Sequence, residues 1–228
     1  MAKGGAYPLI PFHNRIPLGR FGDQGRNVQL KIHPQEPNAV HGHAHQQAWV
    51  VVDAASNMAE LSYHYAGHED WPWAFAATQR FLVKPGRLKV ALKITNCGDG
   101  PMPAGLGWHP FFTKCHAVRT DAACDWAMGA DLLPTGLWQL PEKWAVTRYL
   151  SDWTWAELVL DSGLRVSIRA SLALGHLVIH DPDGPYICVE PVSHLANSMN
   201  LYPERSGDNL VNLPCGASLE AKIDLAFG

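Results

Sequence analysis

The stretch Arg87–Thr95, RLKVALKIT, decides the fold class. Apolar and polar side chains alternate along it, and that period of two is typical of a half-buried β-strand. The apolar positions are Leu88, Val90, Leu92 and Ile94. The preceding stretch FAATQRFLV ends at KPGR, a turn signal, so the two stretches predict a β-hairpin.

The same alternation returns along the chain, in LRVSIRAS (164–171) and in LEAKIDL (219–225). Shorter strand candidates are separated by Pro, Gly, Asp and Asn clusters, at the spacing typical of sandwiches and barrels. No convincing helical stretch of ten residues, internal repeat or linker is present. We therefore expect an all-β fold in which residues 1–228 form one domain.

Composition limits the partners. The net charge is −3 and the pI is near 6.4, which gives no long-range attraction for nucleic acid or anionic lipid and favours a small neutral ligand. No apolar run has the length of a signal peptide or a membrane span, so we expect a cytoplasmic protein. Five scattered cysteines without a CxxC spacing signal neither a disulfide framework nor a thiolate metal site.

Polar groups in apolar surroundings are the candidates for chemistry. In PFHNRIPLGR, Asn14 and Arg15 stand between apolar residues. An arginine in such a place needs a partner, either a structural carboxylate or a ligand oxygen.

The stretch AVHGHAHQQAW contains three alternating histidines. If it is extended, His41, His43 and His45 fall on one side and could present nitrogens to a metal. Apolar residues occupy the following positions, where a carboxylate ligand would be needed. Two interpretations therefore stay open: the histidines bind a metal, or they make ordinary hydrogen bonds.

Two further stretches carry a possible acid and a possible base. In GLGWHPFF, His109 is flanked by aromatic residues, and a low-dielectric setting would lower its pKa. In YICVEPVSH, Glu190 closes an apolar strand that Pro191 ends, and an unpaired carboxylate there would have a raised pKa. The alternatives are a hydrogen-bonded core histidine and a salt bridge at a strand end.

Nine tryptophans are an unusual number for this chain. Their flat faces suit the C–H faces of sugar rings, while histidine, arginine and asparagine suit hydroxyl groups. We expect most of them in the core and one or two in a carbohydrate cleft, with Trp108 as the candidate.

Taken together, the ordered stretches YPLIPFHNRIPLGRF, AVHGHAHQQAW, WPWAFAATQRF, MPAGLGWHPFF, DLLPTG and CVEPVSHLANSMN resemble the aldose 1-epimerase (galactose mutarotase) family. The resemblance spans nearly the whole chain from Tyr7 onward. It implies a large antiparallel β-sandwich of the galactose mutarotase type. It also implies interconversion of the α and β anomers of a free aldose, a hexose or a pentose, without cofactor or metal.

The resemblance assigns roles to single residues. Glu190 matches the general base that takes the proton of the C1 hydroxyl, and His109 matches the general acid that protonates the ring oxygen. Arg15, with its neighbour Asn14, and His41 match substrate-binding positions. Asp152 in YLSDWTWAEL is our choice for the family's substrate-binding aspartate, in a region shorter than the family pattern.

Members of the family usually carry several dozen more residues before the YPLIPF stretch. Sheet edges left open by missing strands could be covered by another subunit, so we expect a homodimer. Three other functions were weighed: a non-catalytic sugar-binding module, a metal-dependent enzyme using the three histidines, and a hexose-6-phosphate mutarotase. The last would need a basic cluster for the phosphate, and the sequence offers no obvious one.

Overall fold

Antiparallel strands account for almost all regular structure in the computed structural model, which describes residues 4–139, 146–201 and 210–228. In chain order the strands are β1 (Ala6–Leu9), β2 (Arg15–Pro17), β3 (Arg20–Asp23), β4 (Arg26–Gln29), β5 (Asn38–Val40), β6 (Val50–Ala55), β7 (Met58–Tyr65), β8 (Phe75–Lys84), β9 (Arg87–Asn96), β10 (Met102–Ala104), β11 (Gly107–Thr113), β12 (Cys115–Thr120), β13 (Cys124–Met128), β14 (Pro134–Gln139), β15 (Thr147–Ser151), β16 (Ala156–Leu160), β17 (Arg165–Ala170), β18 (His176–His180), β19 (Tyr186–Val192), β20 (Val211–Leu213) and β21 (Ser218–Phe227).

Two large sheets organise these strands. The seven-stranded sheet has the order β1-β11-β19-β18-β15-β13-β14. The eight-stranded sheet has the order β12-β16-β17-β21-β9-β8-β7-β6. Three two-stranded ribbons, β2-β5, β3-β4 and β10-β20, complete the pairings. The all-β prediction is confirmed.

The predicted hairpin is β8-β9, paired from Phe75↔Asn96 to Lys84↔Arg87. On β9 the side chains of Val90, Leu92 and Ile94 are buried, as the alternation predicts. β21 pairs with β9 along most of its length and buries its own alternate residues in the same way.

The main core lies between the two large sheets. The eight-stranded sheet contributes Val90, Leu92 and Ile223, and the seven-stranded sheet contributes Ile179 and Val189. Each such aliphatic side chain stabilises the fold by about 1.5–3 kcal/mol when it is removed from water. The seven-stranded sheet thus has one face committed to the core, which leaves its other face for a site.

Helical structure in the described ranges is limited to α1 (Ser198–Leu201) and two 3₁₀ turns, Ala44–Gln46 and Leu172–Leu174. None of these is long and apolar enough to cross a membrane. The chain contributes to both sheets from widely separated segments, which favours the expected single domain.

One local prediction is wrong. Pro191 does not end its strand, because β19 continues through it to Val192 and Pro191 pairs with Leu177 of β18. The fixed φ of proline is compatible with an extended chain, so the strand loses one hydrogen-bond donor without being terminated.

Candidate functional site

The second face of the seven-stranded sheet carries a row of side chains that lie directly opposite one another on neighbouring strands. We call it the site row. Tyr7 of β1 pairs with His109 of β11. The pairs Gly107↔Val192 and Phe111↔Cys188 place His109 opposite Glu190 of β19. The register continues to complete the row: Tyr7, His109, Glu190, Val178, Tyr149 and Trp126.

His109 and Glu190 are the polar centre of the site row. The Nε2 atom of His109 lies 3.4 Å from Oε1 of Glu190. His109 is 7% exposed and Glu190 is 2% exposed. Within the described residues, Nδ1 of His109 and Oε2 of Glu190 are buried without a hydrogen-bond partner. Buried polar atoms of this kind cost stability, so they point to a functional role.

Burial raises the pKa of Glu190 to about 8, since an apolar environment disfavours the charged carboxylate. The positive charge of Arg15 acts in the opposite direction and is outweighed. At neutral pH the resting carboxyl group therefore holds a proton.

Burial also lowers the pKa of His109 to about 3, because it disfavours the charged imidazolium. The charges of His180 and His45 lower this pKa further. The imidazole is neutral at pH 7. Between about pH 3 and about pH 8 the pair as a whole carries one proton.

Aromatic rings cover the pair. The ring centroid of Tyr7 lies 4.6 Å from that of His109 and 5.3 Å from that of His45. His41 meets His109 edge-on at 5.3 Å. Tyr7, His41 and His45 thus form an aromatic cover over the His109–Glu190 pair.

The segment that carries two of these histidines is held by Gly42. A Cβ at this position would lie 2.3 Å from the carbonyl oxygen of Ile10, and the φ of Gly42 is +67°. Only glycine fits such an approach. Because His41 also has a positive φ and a 3₁₀ turn begins at Ala44, the segment is not extended.

The extended conformation that would place His41, His43 and His45 on one side is therefore absent. His43 points away from His41 and His45. Its Nδ1 is 2.8 Å from the Tyr63 hydroxyl and its Nε2 is 3.7 Å from Asp70. The metal hypothesis built on the alternating histidines has no structural support.

Asn14 and Arg15 lie beside the pair and are already engaged. Arg15 makes a two-point ion pair with Glu36, at 2.6 Å and 2.8 Å. The side-chain oxygen of Asn14 accepts a hydrogen bond from the backbone N–H of Arg15, and the backbone N–H of Asn14 donates to Nδ1 of His41. Of the two partners expected for Arg15, a structural carboxylate or a ligand oxygen, the structure shows the carboxylate. The hydrogen bond from Asn14 orients the His41 ring.

Two other predicted residues are not brought to the pair. Trp108 precedes His109 on β11 and therefore points to the opposite face, where it is 3% exposed in the main core. This corrects the expectation that Trp108 contacts a ligand together with His109. Asp152 is exposed after β15 and accepts a hydrogen bond from Cys124, and the described contacts do not join it to His109 or Glu190.

Of the nine tryptophans, Trp126 is the one whose side chain is described in the site row, and its indole donates to the Ser151 hydroxyl. Trp144 lies outside the described residues. Trp126 is 5% exposed, so the expectation of a tryptophan that lines a carbohydrate cleft stays a prediction.

Three residues of the site were missed in the sequence: Tyr7 and Cys188 beside the pair, and Glu36, which is the partner of Arg15. Tyr7 depends on the long-range pairing of β1 with β11, and Glu36 on the path of a loop, so neither leaves a local signal. Cys188 does leave one, because it lies two positions before Glu190 on the same strand and shares its face. Ligand atoms of His109, Cys188 and Glu190 all lie within 4.8 Å of one another, so these residues could hold a metal ion.

Comparisons with known proteins agree with this architecture. The sequence model of the aldose 1-epimerase family matches residues 3–146. The uncharacterized protein YphB of Escherichia coli K12 is 30% identical over 139 residues, which are 60% of this chain and 43% of YphB. YihR of the same organism is 27% identical over 115 residues, 50% of this chain and 37% of YihR. These matches span less than half the length of the two relatives.

Solved structures give the fold. A galactose mutarotase-like protein from Clostridium acetobutylicum superimposes with a TM-score of 0.88 at 21% identity, over 98% of this chain and 79% of that one. A galactose mutarotase-like protein from Lactobacillus casei gives 0.82 at 16% identity, over 98% and 85%. The β-sandwich of the galactose mutarotase type is thereby confirmed, and with the match over residues 3–146 the chain belongs to the aldose 1-epimerase family.

Proposed function

We propose that this chain is an aldose 1-epimerase that interconverts the α and β anomers of a free aldose. The observation that carries the proposal is the buried His109–Glu190 pair, whose 3.4 Å separation and opposite pKa shifts leave one shared proton near neutral pH. Groups whose environments push their pKa values apart are typical of acid-base catalysis.

The shared proton accounts for both halves of the reaction. When the proton is on His109, the Glu190 carboxylate takes the proton of the C1 hydroxyl while the imidazolium protonates the ring oxygen, and the C1–O5 bond breaks. Afterwards Glu190 holds a proton and His109 is neutral. This is the resting distribution. When the aldehyde has turned about C1–C2 and the ring closes, Glu190 gives its proton to the C1 oxygen and His109 takes the proton of the C5 hydroxyl.

The side-by-side placement suits this chemistry. The C1 hydroxyl oxygen and the ring oxygen are bonded to the same carbon, so the two catalytic groups must also be neighbours. A 3.4 Å separation is too long for a strong direct hydrogen bond and leaves both groups available to substrate oxygens. No nucleotide or covalent intermediate is needed.

Because Glu190 is 2% exposed, a sugar reaches the pair only when surrounding side chains move, and we expect the aromatic cover of Tyr7, His41 and His45 to be among them. Aromatic faces suit the C–H face of a pyranose ring. We expect the cover to close over the sugar, with His41 and Arg15 directed to its oxygens. The cytoplasmic location, the single domain and the homodimer stay predictions.

Anomer exchange measured by NMR, or polarimetry of freshly dissolved α-D-glucose and α-D-galactose, tests the proposal. Glu190→Gln and His109→Ala should each lower kcat/KM by about 10²–10⁴-fold, the usual contribution of a positioned acid or base. Matched controls are Glu220→Gln and His116→Ala, since their side chains are 59% and 69% exposed. Both should keep the full rate.

Equal rates for the wild type and the two pair variants, across a panel of aldoses, would contradict the proposal. Sugar binding in calorimetry without rate enhancement would favour the non-catalytic module. A preference for glucose 6-phosphate over glucose would favour the hexose-6-phosphate mutarotase.

A further inference from the structure

The proposed catalytic pair and the neighbouring Cys188 form a cluster with the composition of a transition-metal site. His109, Cys188 and Glu190 offer nitrogen, sulfur and oxygen ligand atoms that all lie within 4.8 Å of one another. We propose that this cluster is a binding site for a thiophilic divalent cation, Zn²⁺ above all, and that the cation inhibits the enzyme.

The geometry fits four-coordinate zinc. With ligand bonds of about 2.0–2.3 Å, the ligand atoms around tetrahedral zinc stand roughly 3.3–3.8 Å apart. Nε2 of His109 and Oε1 of Glu190 are 3.4 Å apart already. The Cys188 sulfur closes to coordination distance by a small adjustment, and a fourth position is left for water, as in open zinc sites.

The strands hold the three ligands on one face. Cys188 and Glu190 alternate on β19, and His109 lies opposite Glu190 on β11. Both strands are interior to the seven-stranded sheet, which fixes the backbone of all three residues. Ligands on paired interior strands need little ordering when a metal binds, and this favours affinity.

The charges balance. Binding releases the thiol proton of Cys188 and the carboxyl proton of Glu190 to solvent. The resulting thiolate and carboxylate carry two negative charges and the neutral imidazole adds none, so the complex with a divalent cation is neutral. Neutrality is required at a place where Cys188 is 0% exposed and Glu190 is 2% exposed. The buried Oε2 of Glu190, which has no hydrogen-bond partner among the described residues, gains one in the cation.

Sulfur gives the site its selectivity. A thiolate and an imidazole suit Zn²⁺ and Co²⁺, whereas Mg²⁺ prefers oxygen ligands and retains its waters. The site should therefore discriminate strongly between zinc and magnesium. Inhibition rests on the proposed function, because the cation occupies both the acid and the base, but binding itself does not.

Co²⁺ is the probe that tests the site without reference to activity. Titration of the full chain should give one equivalent of bound Co²⁺, with the near-ultraviolet absorption of a cobalt–thiolate bond and intense visible bands of tetrahedral cobalt. Zn²⁺ should displace it, and a large excess of Mg²⁺ should not. Cys188→Ser and Cys188→Ala should remove the thiolate absorption and weaken Zn²⁺ binding by more than about 100-fold.

Matched controls separate this site from the other thiols. The Cys97→Ser/Cys215→Ser variant removes the exposed cysteines and should keep the cobalt spectrum, as should His43→Ala. A spectrum without the thiolate absorption, or one unchanged in Cys188→Ser, would overturn the site. If cobalt binds at Cys188 and the protein has no epimerase activity, the site stands and the proposed function fails.

In active protein, micromolar Zn²⁺ should inhibit anomer exchange reversibly, with recovery on addition of EDTA. Cys188→Ala should be resistant. Zinc inhibition of equal strength in Cys188→Ala and the wild type would overturn the inhibitory role.

Discussion

Trp108 and His109 are neighbours in sequence and lie on opposite faces of the same strand. On the core face, Trp108 packs into the apolar interior between the two sheets. On the other face, His109 meets Glu190 and both retain buried polar atoms without partners among the described residues. One face of the sheet therefore packs into the main core, and the other carries the cost of the buried polar pair beside a smaller apolar cluster that includes Val178, Tyr149 and Trp126.

The largest effect of a substitution on stability is expected on the core face. Trp108→Ala should lower the free energy of unfolding by about 3–5 kcal/mol, because it removes a large buried side chain and leaves a cavity. Denaturation by urea, followed by fluorescence or circular dichroism, measures this change. Leu172→Ala is the control, since Leu172 is 98% exposed, and its effect should stay within about 0.5 kcal/mol. A Trp108 variant as stable as the wild type would contradict the placement in the core.

On the other face, substitution of Glu190 should raise the free energy of unfolding rather than lower it. Glu190 binds its proton in the folded protein up to about pH 8, whereas in the unfolded chain it does so only up to about 4.5. Between these values the folded state holds more protons, so this residue lowers stability as the pH rises. Glu190→Gln removes that contribution.

The variant should therefore gain stability over the wild type by about 3 kcal/mol between pH 5 and pH 8. Urea midpoints at several pH values measure the difference. The buried histidines, His13 and His194 among them, are common to both proteins and cancel in the comparison. A difference that stays constant with pH would show that the Glu190 pKa is not raised.

The strands could be predicted from the sequence because apolar and polar side chains alternate along a half-buried strand. The alternation in β9 predicts its core face, and with the turn signal before it predicts the hairpin. The same alternation predicts the β21 strand, whereas its pairing with β9 is seen only in the structure. The same rule separates Trp108 from His109 in GWHPF, and it joins Cys188 to Glu190 in YICVEPV.

The rest depends on features that local patterns do not contain. The partnership of Tyr7 with His109 is set by long-range strand pairing. The positive φ of His41 and the close approach of Gly42 to Ile10 keep the histidine stretch from being extended. The Arg15–Glu36 ion pair joins a strand to a loop, and no spacing rule selects that carboxylate.

The pH dependence of kcat/KM for anomer exchange tests the central claim most directly, which is that His109 and Glu190 work with one shared proton. Above about pH 8 the pair loses that proton and no acid remains, so activity should fall as the pH rises through this value. From about pH 5 to pH 7, where ordinary carboxyl and imidazole groups titrate, activity of the folded enzyme should stay level. A profile that falls below pH 6.5 with the titration of an ordinary histidine, or that has no decline above pH 8, would contradict the account.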